Sequence, residues 1–378
     1  MGDLFTFWIL RIFLLLVFVV CGFGISYDKK SRFCVYSLVS GLCYSLIQGL
    51  RYARGVDYMH YKFDMEGHWF VDNYEVGYRF IVIFLSQWLH LPYWGCFICY
   101  SALLIFAVLL VLKRIPQMAV WGLPMFFLIT GTASENLIRQ YLAISFIIYA
   151  YYFFLCKKNI CMWFMLVFSF FIHVSAIYPV ILFVFFAYVK FKTKIQKPWI
   201  YMGVYSLLFL FWNVSYLSIV PHLLDYVPFF DSSNMQGYIE YSDYWFTSES
   251  SLSETLGKNL DLSFAHNSLL FLVNNLVIFY GYKVKQKDNQ FRIPYYYFLF
   301  SLFFAVIGKD LELYYRCTQW TYFMTAFVVS SILSTSSIMA NRTKSIICFL
   351  FFVLYYYGIF ISQIGVSPES GCAFVWNV

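Results

Sequence analysis

The sequence predicts an all-α polytopic membrane protein with about twelve transmembrane helices and one further helix on the outer face of the membrane. Hydrophobic residues make up 62% of the 378 positions and charged residues only 12%, well below the charged share of an ordinary soluble domain. Apolar runs recur along the whole chain without a polar half, which indicates a single integral membrane domain over residues 1–378. The basic residues lie in short loops between those runs, as the positive-inside rule predicts.

Twelve stretches are apolar enough to be interpreted as membrane spans, since a helix needs about 20 apolar residues to cross the hydrocarbon core. The predicted spans are 4–26, 33–50, 94–112, 117–131, 139–156, 160–174, 175–190, 198–219, 266–283, 294–308, 317–335 and 345–363. The first contains Arg11 and lacks a small-x-small cleavage site, so we predict a retained helix and not a signal peptide. A weaker, amphipathic segment, 76–91, carries Arg79, Gln87 and His90.

The positions of lysine and arginine orient these helices. If the loop after the first span is cytoplasmic and segment 76–91 stays outside as a re-entrant or surface helix, 17 of the 26 basic residues fall on the cytoplasmic side. Only two of the nineteen acidic residues, Asp28 and Asp288, join them. If segment 76–91 crossed the membrane, this asymmetry would be lost, so the charge pattern favours twelve crossings. The large loops, about 51–75 and 220–265, are then both on the outer side.

Neither the net charge of +7 nor the ten cysteines indicate nucleic-acid or metal binding. The positive charge is divided among short loops and does not form one basic face, so no nucleic-acid partner is predicted. The cysteines are scattered through apolar segments without a second CxxC or a histidine cluster, and we interpret them as small apolar residues. No metal and no cofactor are therefore predicted.

Four places on the predicted outer side combine polar residues suited to chemistry. They are Leu50-Arg51-Tyr52-Ala53-Arg54-Gly55-Val56-Asp57-Tyr58 followed by Tyr61, Arg139-Gln140 at a predicted helix start, His173 with Ser175 at the mouth of a helical hairpin, and Lys309-Asp310 through Arg316 just before another helix. A single arginine at a helix end usually extends to the lipid headgroups. Several on the side that the positive-inside rule depletes indicate a polyanionic ligand, for which the planar guanidinium is suited. A helix N-terminus at Arg139 or near Arg316 adds to this preference for anions.

His173 and Asp57 each have two interpretations. A histidine at membrane depth is uncommon and is a functional hypothesis by default, and an imidazole suits acid–base chemistry near neutrality. The alternative is a structural histidine that bonds a neighbouring carbonyl. Asp57 is either a functional carboxylate or a salt-bridge partner of Arg51 or Arg54.

Several short motifs follow one another in a fixed order between about residues 33 and 335. They are Leu50-Arg51-Tyr52-Ala53-Arg54-Gly55-Val56-Asp57-Tyr58-Met59-His60-Tyr61, Glu75-Val76-Gly77-Tyr78, Arg139-Gln140-Tyr141-Leu142-Ala143, Lys157-Lys158, Ile172-His173-Val174-Ser175-Ala176, and Arg316 with Tyr322. This ordered set resembles the EpsG-like branch of the Wzy polysaccharide polymerases. Arg54 departs from the pattern, since that family often has a small or apolar residue there, and Ile172 replaces the more usual Phe.

The resemblance implies a metal-independent glycosyltransferase with a GT-C-like helical fold in the bacterial cytoplasmic (inner) membrane. Such an enzyme joins lipid-linked repeat units of O-antigen, capsule or exopolysaccharide on the outer face of that membrane. The growing chain leaves its polyprenyl pyrophosphate and passes to a sugar hydroxyl on the next unit. The implied partners are the polyprenyl-pyrophosphate-linked oligosaccharide, the lipid bilayer and a chain-length regulator.

The resulting hypothesis assigns a role to nine residues. Arg51, Arg139 and Arg316 hold the pyrophosphate, because fixed guanidinium groups stabilise the charge that builds on a leaving diphosphate. His173 assists the acceptor hydroxyl. The substrate-binding residues are Asp57, Tyr61, Gln140, Arg54 and Ser175.

Four other functions remain open from the sequence. An O-antigen-type ligase would use the same arginines and histidine. Another GT-C transferase would need a metal and acidic residues of the first outer loop, where Asp57, Asp64 and Glu66 lie. A lipid flippase or secondary transporter would place charged residues near the bilayer midplane, whereas those singled out lie at the outer edge. A non-catalytic scaffold would not explain why arginines lie on the predicted outer side of the membrane.

Overall fold

The computed structural model describes residues 4–27, 33–55, 57–67, 74–189, 197–210, 260–307, 312–335, 341–364 and 372–377. These residues form helices and short turns, and the only β-type pairing among them is one isolated antiparallel bridge between Arg51 and Phe374. The helices are α1 Leu4–Tyr27, α2 Phe33–Gly49, α3 Tyr58–Gly67, α4 Val76–Ile83, α5 Tyr93–Arg114, α6 Ala119–Asn136, α7 Ile138–Leu155, α8 Asn159–Ile172, α9 Ile177–Tyr188, α10 Pro198–Leu210, α11 Leu260–Lys287, α12 Arg292–Ile307, α13 Glu312–Tyr322, α14 Met324–Ser334 and α15 Asn341–Ile364.

The chain is an all-α, multi-pass membrane protein. Four of the described helical segments are long and apolar enough to cross a membrane by length and composition: Phe5–Tyr27, Tyr93–Arg114, Ile138–Leu155 and Asn289–Ile307. Large apolar side chains also face outward, and Ile160 is 86% exposed. Such a surface is stable in lipid and not in water, because the hydrocarbon of a bilayer replaces the missing core contacts.

The core lies where α5 and α7 pack together. α5 also contacts α2, and α7 also contacts α8, while α6 packs between α1 and α14. Large aromatic side chains fill these contacts, among them the fully buried Tyr44, Phe126 and Tyr151. The long apolar stretches of the sequence thus correspond to the helices that build this core.

Two predicted boundaries are wrong, in both cases because hydropathy does not detect a polar helix. Predicted span 317–335 consists of two helices, α13 and α14, with a turn at Phe323 between them. Predicted loop 51–75 contains α3, whose polar face carries the i,i+4 pairs His60–Asp64 and Lys62–Glu66, each at 3.9 Å. Residues 211–259, which include most of the predicted loop 220–265, lie outside the described chain, and α11 begins at Leu260 within its last part.

The helix ends gather in two layers. The first, which we call the outer layer after the predicted orientation, contains Arg51, Arg139 and His173, at the ends of α2, α7 and α8. The second, the inner layer, contains Lys113, which lies 5.5 Å from the ring of Phe33. There Arg292 at the start of α12 also donates to the carbonyl of Ala187 at the end of α9, and Tyr151 donates to the carbonyl of Gln290 at 3.2 Å. The orientation of these two layers across the membrane, which the charge pattern predicts, stays a prediction.

Segment 76–91 begins and ends in the outer layer. It consists of α4 and a π-helical turn, Phe84–Trp88. Its first end lies beside Arg139, and Tyr93, which follows its second end, lies 4.9 Å from the Lys62 ammonium of α3. Its predicted placement as a re-entrant or surface helix stays a prediction.

Gly77 lets α4 approach the end of α8. A Cβ atom built at Gly77 would lie 2.7 Å from the carbonyl oxygen of Phe171, a backbone atom that cannot rotate away. We therefore expect Gly77→Ala to displace α4 and to destabilise the protein by about 1–3 kcal/mol, the usual cost of overpacking. Thermal unfolding in detergent micelles measures this cost.

Gly203→Ala in α10 is the matched control for this substitution. No atom lies within 4 Å of the Cβ that it would add, and alanine is the better helix former, so its Tm is expected to equal or exceed that of the wild type. Equal Tm values for Gly77→Ala and the wild type would show that α4 does not depend on this close contact.

Candidate functional site

Three outer-layer residues from separate parts of the sequence form one cluster of ionisable side chains, which we call the site triad: Glu75, Arg139 and His173. Nη1 of Arg139 lies 2.8 Å from Oε2 of Glu75, and Nδ1 of His173 lies 3.7 Å from Oε1 of the same carboxylate. The three side chains are each about one fifth exposed. The group is thus held by protein contacts and yet open to a ligand on one side.

Helix ends place each member of the site triad. Glu75 is the residue before α4, and its Oε1 also accepts the Val174 N–H at 2.8 Å, which ties α4 to the turn after α8. Arg139 is the second residue of α7, as predicted. His173 follows α8 in an extended conformation, since the helix ends at Ile172.

The His173 ring has two neighbours at Nδ1. The backbone N–H of Ser175 donates to Nδ1 at 3.3 Å, and Glu75 lies on the other side. A neutral ring accepts from that amide, whereas a protonated ring donates to the carboxylate. Trp320 of α13 packs edge-on against the ring at 5.1 Å and restricts its orientation. Trp320 and the Ser175 amide therefore fix the direction of the ring, with its Nδ1 edge toward Glu75.

Arg316 lies one helical turn before Trp320 on α13, the helix whose Trp320 packs against His173. Its predicted place at a helix N-terminus is wrong, because α13 begins already at Glu312. The side chain of Arg316 lies outside the described part of the structure, so its proposed contact with pyrophosphate stays a prediction.

A second group, the arginine cluster, is buried beside the site triad and consists of Arg11, Arg51, Arg54 and Glu135. Nη2 of Arg11 donates to both carboxylate oxygens of Glu135 at 2.8 and 2.9 Å, and Nη1 of Arg54 donates to Oε1 at 3.0 Å. Arg51 donates to the backbone carbonyl of Glu135 at 3.3 Å and to that of Gln48. Glu135 thus binds three guanidinium groups from α1 and the loop after α2, two with its carboxylate and one with its backbone carbonyl.

Aromatic rings and burial complete the arginine cluster. The guanidinium carbons of Arg11 and Arg54 each lie 4.6 Å from the ring centre of Phe7, and that of Arg51 lies 5.3 Å from Phe97, distances typical of cation–π contacts. Burial lowers the pKa of Arg51 and of Arg54, and the Glu135 charge opposes both shifts. Glu135 therefore supplies the negative charge that compensates these buried guanidinium groups.

Glu135, and not Asp57, is the ion-pair partner in this region. Within the described chain Asp57 forms no ion pair, so the salt-bridge interpretation of that residue does not hold for Arg51 or Arg54. The turn at Gly55 explains the geometry: its φ is +100°, and a Cβ there would lie 2.7 Å from the carbonyl oxygen of Glu135. The loop therefore approaches α6 with its backbone.

Tyr61 connects the loop to the site triad. It is buried, and its ring packs at 5.9 Å against that of Tyr78. Burial raises the pKa of Tyr61 to about 12; Arg139 opposes the shift and Asp57 adds to it. Both charged residues thus lie within electrostatic reach of one phenol, which brings three of the predicted site residues together.

Gln140, Ser175 and Arg54 have different surroundings. Gln140 is buried, and its side-chain nitrogen has no hydrogen-bond partner among the described atoms. Ser175 is exposed next to His173. Arg54 belongs to the arginine cluster, away from the exposed edge of the site triad. Among the predicted substrate-binding residues, Ser175 is therefore the one whose side chain is open to a ligand beside the imidazole.

A small cavity lies beside Arg51, between α2, α5 and the α6–α7 corner. Gln48, Tyr100 and Tyr141 line it together with Arg51. Since no member of the site triad borders it, the cavity belongs to the arginine cluster. The Arg51 guanidinium therefore faces the protein interior.

Glu75, Glu135 and Arg11 are the residues that sequence reasoning did not select for the site. Glu75 stands within the Glu-x-Gly-Tyr motif and was recognised there only as part of a pattern. Arg11 is an ionisable residue inside a predicted span, which is itself a signal of a buried partner. The described residues contain no group of three His, Cys, Asp or Glu side chains able to hold an ion.

Comparison with known proteins gives one match. The model of the EpsG family matches residues 34–374. No curated protein and no solved structure matches the chain. The matched range includes the site triad, the loop from Arg51 to Asp57, and the C-terminal contact at Phe374.

Proposed function

Because the chain belongs to the EpsG family, we propose that it is a membrane glycosyltransferase that polymerises lipid-linked oligosaccharide repeat units. The donor is the growing chain on a polyprenyl pyrophosphate, and the acceptor is a sugar hydroxyl of the next lipid-linked unit. The observation that carries the proposal is the site triad. It joins an arginine suited to a diphosphate, a histidine suited to a hydroxyl proton, and a carboxylate that holds both.

The proposed reaction is a displacement at the anomeric carbon. The acceptor hydroxyl oxygen forms the new glycosidic bond while the bond from the anomeric carbon to the diphosphate oxygen breaks. His173 takes the hydroxyl proton, and Glu75, 3.7 Å from its Nδ1, stabilises the imidazolium. Negative charge builds on the leaving diphosphate, where Arg139 offers those of its five N–H donors that Glu75 does not use. Arg316, on the helix that carries Trp320, is the proposed second cation.

For Arg51 and Arg54 we propose a positioning role. Both are buried, and their guanidinium groups bond to Glu135 and to backbone carbonyls. They hold the loop that leads to Asp57 and Tyr61, which shape the acceptor side of the site. In this proposal Arg51 acts by holding the loop and does not contact the pyrophosphate, in contrast to the hypothesis from the sequence.

The remaining features of the proposal concern the membrane. We propose twelve crossings with segment 76–91 on the outer face, a GT-C-like arrangement, and a site that faces away from the cytoplasm of a bacterial inner membrane. The two-layer grouping of helix ends supports this orientation, since Lys113 and Arg292 lie in the layer opposite the site triad. A chain-length regulator is a further proposed partner.

Deletion of the gene tests the proposed reaction against its nearest rivals. Surface polysaccharide from the deletion strain is separated by size and compared with that of the wild type. Single repeat units on the final acceptor, in place of a ladder, support a polymerase. A bare final acceptor with polymer still attached to lipid would indicate a ligase, and accumulation of units on the cytoplasmic side would indicate a flippase.

We expect polymerisation to continue without divalent metal. Fixed guanidinium groups take the role that a metal has in many glycosyltransferases, so the rate with purified protein and lipid-linked donor should change by less than about twofold in excess EDTA. Arrest by EDTA with recovery on added Mg²⁺ or Mn²⁺ would contradict this and would favour a metal-dependent transferase.

A further inference from the structure

The C-terminal residues 372–375, which we call the C-terminal clasp, are paired with the loop after α2. The N–H of Tyr52 donates to the carbonyl of Ala373, and the N–H of Val375 donates to the carbonyl of Leu50, each at 2.9 Å. Together they form the antiparallel bridge between Arg51 and Phe374. Two backbone hydrogen bonds thus fix the segment on which Arg51 and Arg54 lie.

Phe374 is the clasp residue that contacts the arginine cluster. Its side chain is buried, and its ring centre lies 5.0 Å from the guanidinium carbon of Arg54. Phe7 lies 4.6 Å from the same guanidinium carbon. Arg54 is therefore held by two rings and by Glu135, which leaves its charge little access to water.

The clasp also buries a thiol. Cys372 is fully buried, and burial raises its pKa, with an opposing effect of Arg54. A buried thiol of raised pKa reacts slowly with alkylating reagents, because the thiolate is the nucleophile. The rate at which Cys372 is alkylated thus reports whether the clasp is packed against the loop after α2.

We infer that the C-terminal clasp is a positioning element of the site, in which Phe374 holds Arg54 against Glu135 and so fixes the loop that presents the acceptor residues. The inference rests on the proposed function for its effect on catalysis. Few contacts separate the clasp from the site triad. Residues 50–52 pair with the clasp, and the same loop leads to Tyr61. Tyr61 in turn lies within electrostatic reach of Arg139.

The α6–α7 corner provides a second path to the site triad. Glu135 is near the end of α6 and Arg139 is at the start of α7, with the helix break at Leu137 between them. A shift of Arg54 that moves Glu135 therefore moves the backbone from which Arg139 extends. The loop path acts on the acceptor side of the site, so we expect loss of the clasp to raise the acceptor KM more than it lowers kcat.

The kinetic test removes the ring while it keeps an apolar side chain. With purified protein in nanodiscs, Phe374→Leu is expected to raise the acceptor KM by about tenfold and to leave kcat within about twofold, since a buried cation–π contact has that strength. Trp376→Ala is the matched control: Trp376 stacks on Phe374 at 4.7 Å but is 57% exposed, and its KM should stay that of the wild type.

A double-mutant cycle separates positioning from general loss of structure. If Phe374 acts through Arg54, the combination of Phe374→Leu with Arg54→Met raises KM no further than Arg54→Met alone. Effects that multiply would show that Phe374 acts independently of Arg54 and would overturn the inference.

The thiol of Cys372 gives a readout that does not depend on activity. Maleimide labelling followed by peptide mapping is expected to modify Cys372 at least about tenfold faster in Phe374→Leu than in the wild type, with the Cys372→Ala variant as the blank. Equal protection in both proteins, or a wild-type KM for Phe374→Leu, would overturn the inference. Absence of polymerisation by the wild type would instead refute the proposed function, and the labelling would still decide whether Phe374 holds the clasp.

Discussion

Arg139→Ala is expected to lower the rate of polymerisation by about 10²–10³-fold, the usual effect of removing one fixed group that stabilises transition-state charge. The reason is the location of Arg139. Its guanidinium is partly exposed, lies 2.8 Å from Glu75, and stacks 4.7 Å from the ring of Tyr74. Carboxylate and ring together hold the donors in place before substrate arrives, so little reorganisation is needed when the diphosphate leaves.

The measurement is the size distribution of surface polysaccharide in cells that produce each variant, with the protein level checked by immunoblot. Arg139→Ala should give single repeat units where the wild type gives a ladder. Arg79→Ala is the matched control, since Arg79 is an exposed arginine on α4 close to the same layer, and its ladder should be unchanged. A full ladder from Arg139→Ala at normal protein level would refute its role and that of the site triad.

Glu135→Gln is expected to destabilise the protein by about 3–5 kcal/mol, the cost of leaving a buried charge without its partner. The substitution retains the size of the side chain but removes the only carboxylate that contacts Arg11 and Arg54 in the described structure. Both guanidinium groups would remain buried and charged, because arginine does not lose its proton at accessible pH. The protein avoids this free-energy cost only if the loop after α2 becomes exposed to water or the chain unfolds.

Thermal unfolding of the purified protein in detergent tests the prediction, with the yield of monodisperse protein as a second readout. Glu66→Gln on α3 is the matched control. Glu66 is 46% exposed and lies 3.9 Å from Lys62, and such a surface pair contributes about 0–1 kcal/mol. A Glu135→Gln variant as stable as Glu66→Gln would mean that the arginine cluster does not depend on this charge.

The helical fold and its membrane class are predictable from the sequence because lipid imposes a strong, local requirement for long apolar segments. The predicted span 94–112, for example, corresponds to α5 Tyr93–Arg114. Helix α3 could not be predicted in this way. Its residues are polar, and it is held by contacts such as Tyr58 against Phe97 at 4.8 Å, which involve distant parts of the chain.

The sequence selects only part of the candidate site, since it points to Arg139 and His173 but not to Glu75. The predicted outer-side placement selects Arg51, Arg54, Arg139 and His173 alike. It does not show that Arg139 and His173 share Glu75 while Arg51 and Arg54 belong to Glu135, because Arg139, Arg51 and Arg54 lie 64, 84 and 81 sequence positions from these partners. Charge and hydropathy are properties of each segment, whereas the division into an open and a buried group depends on how α4, α6 and the C-terminus pack.

The clasp has a consequence for biosynthesis. Residues 372–375 are synthesised long after residues 50–52, with which they pair. The arginine cluster is therefore completed only after helix α15 has been synthesised. A chain that stops before residue 372 would contain the whole site triad and lack the segment that secures the neighbouring loop.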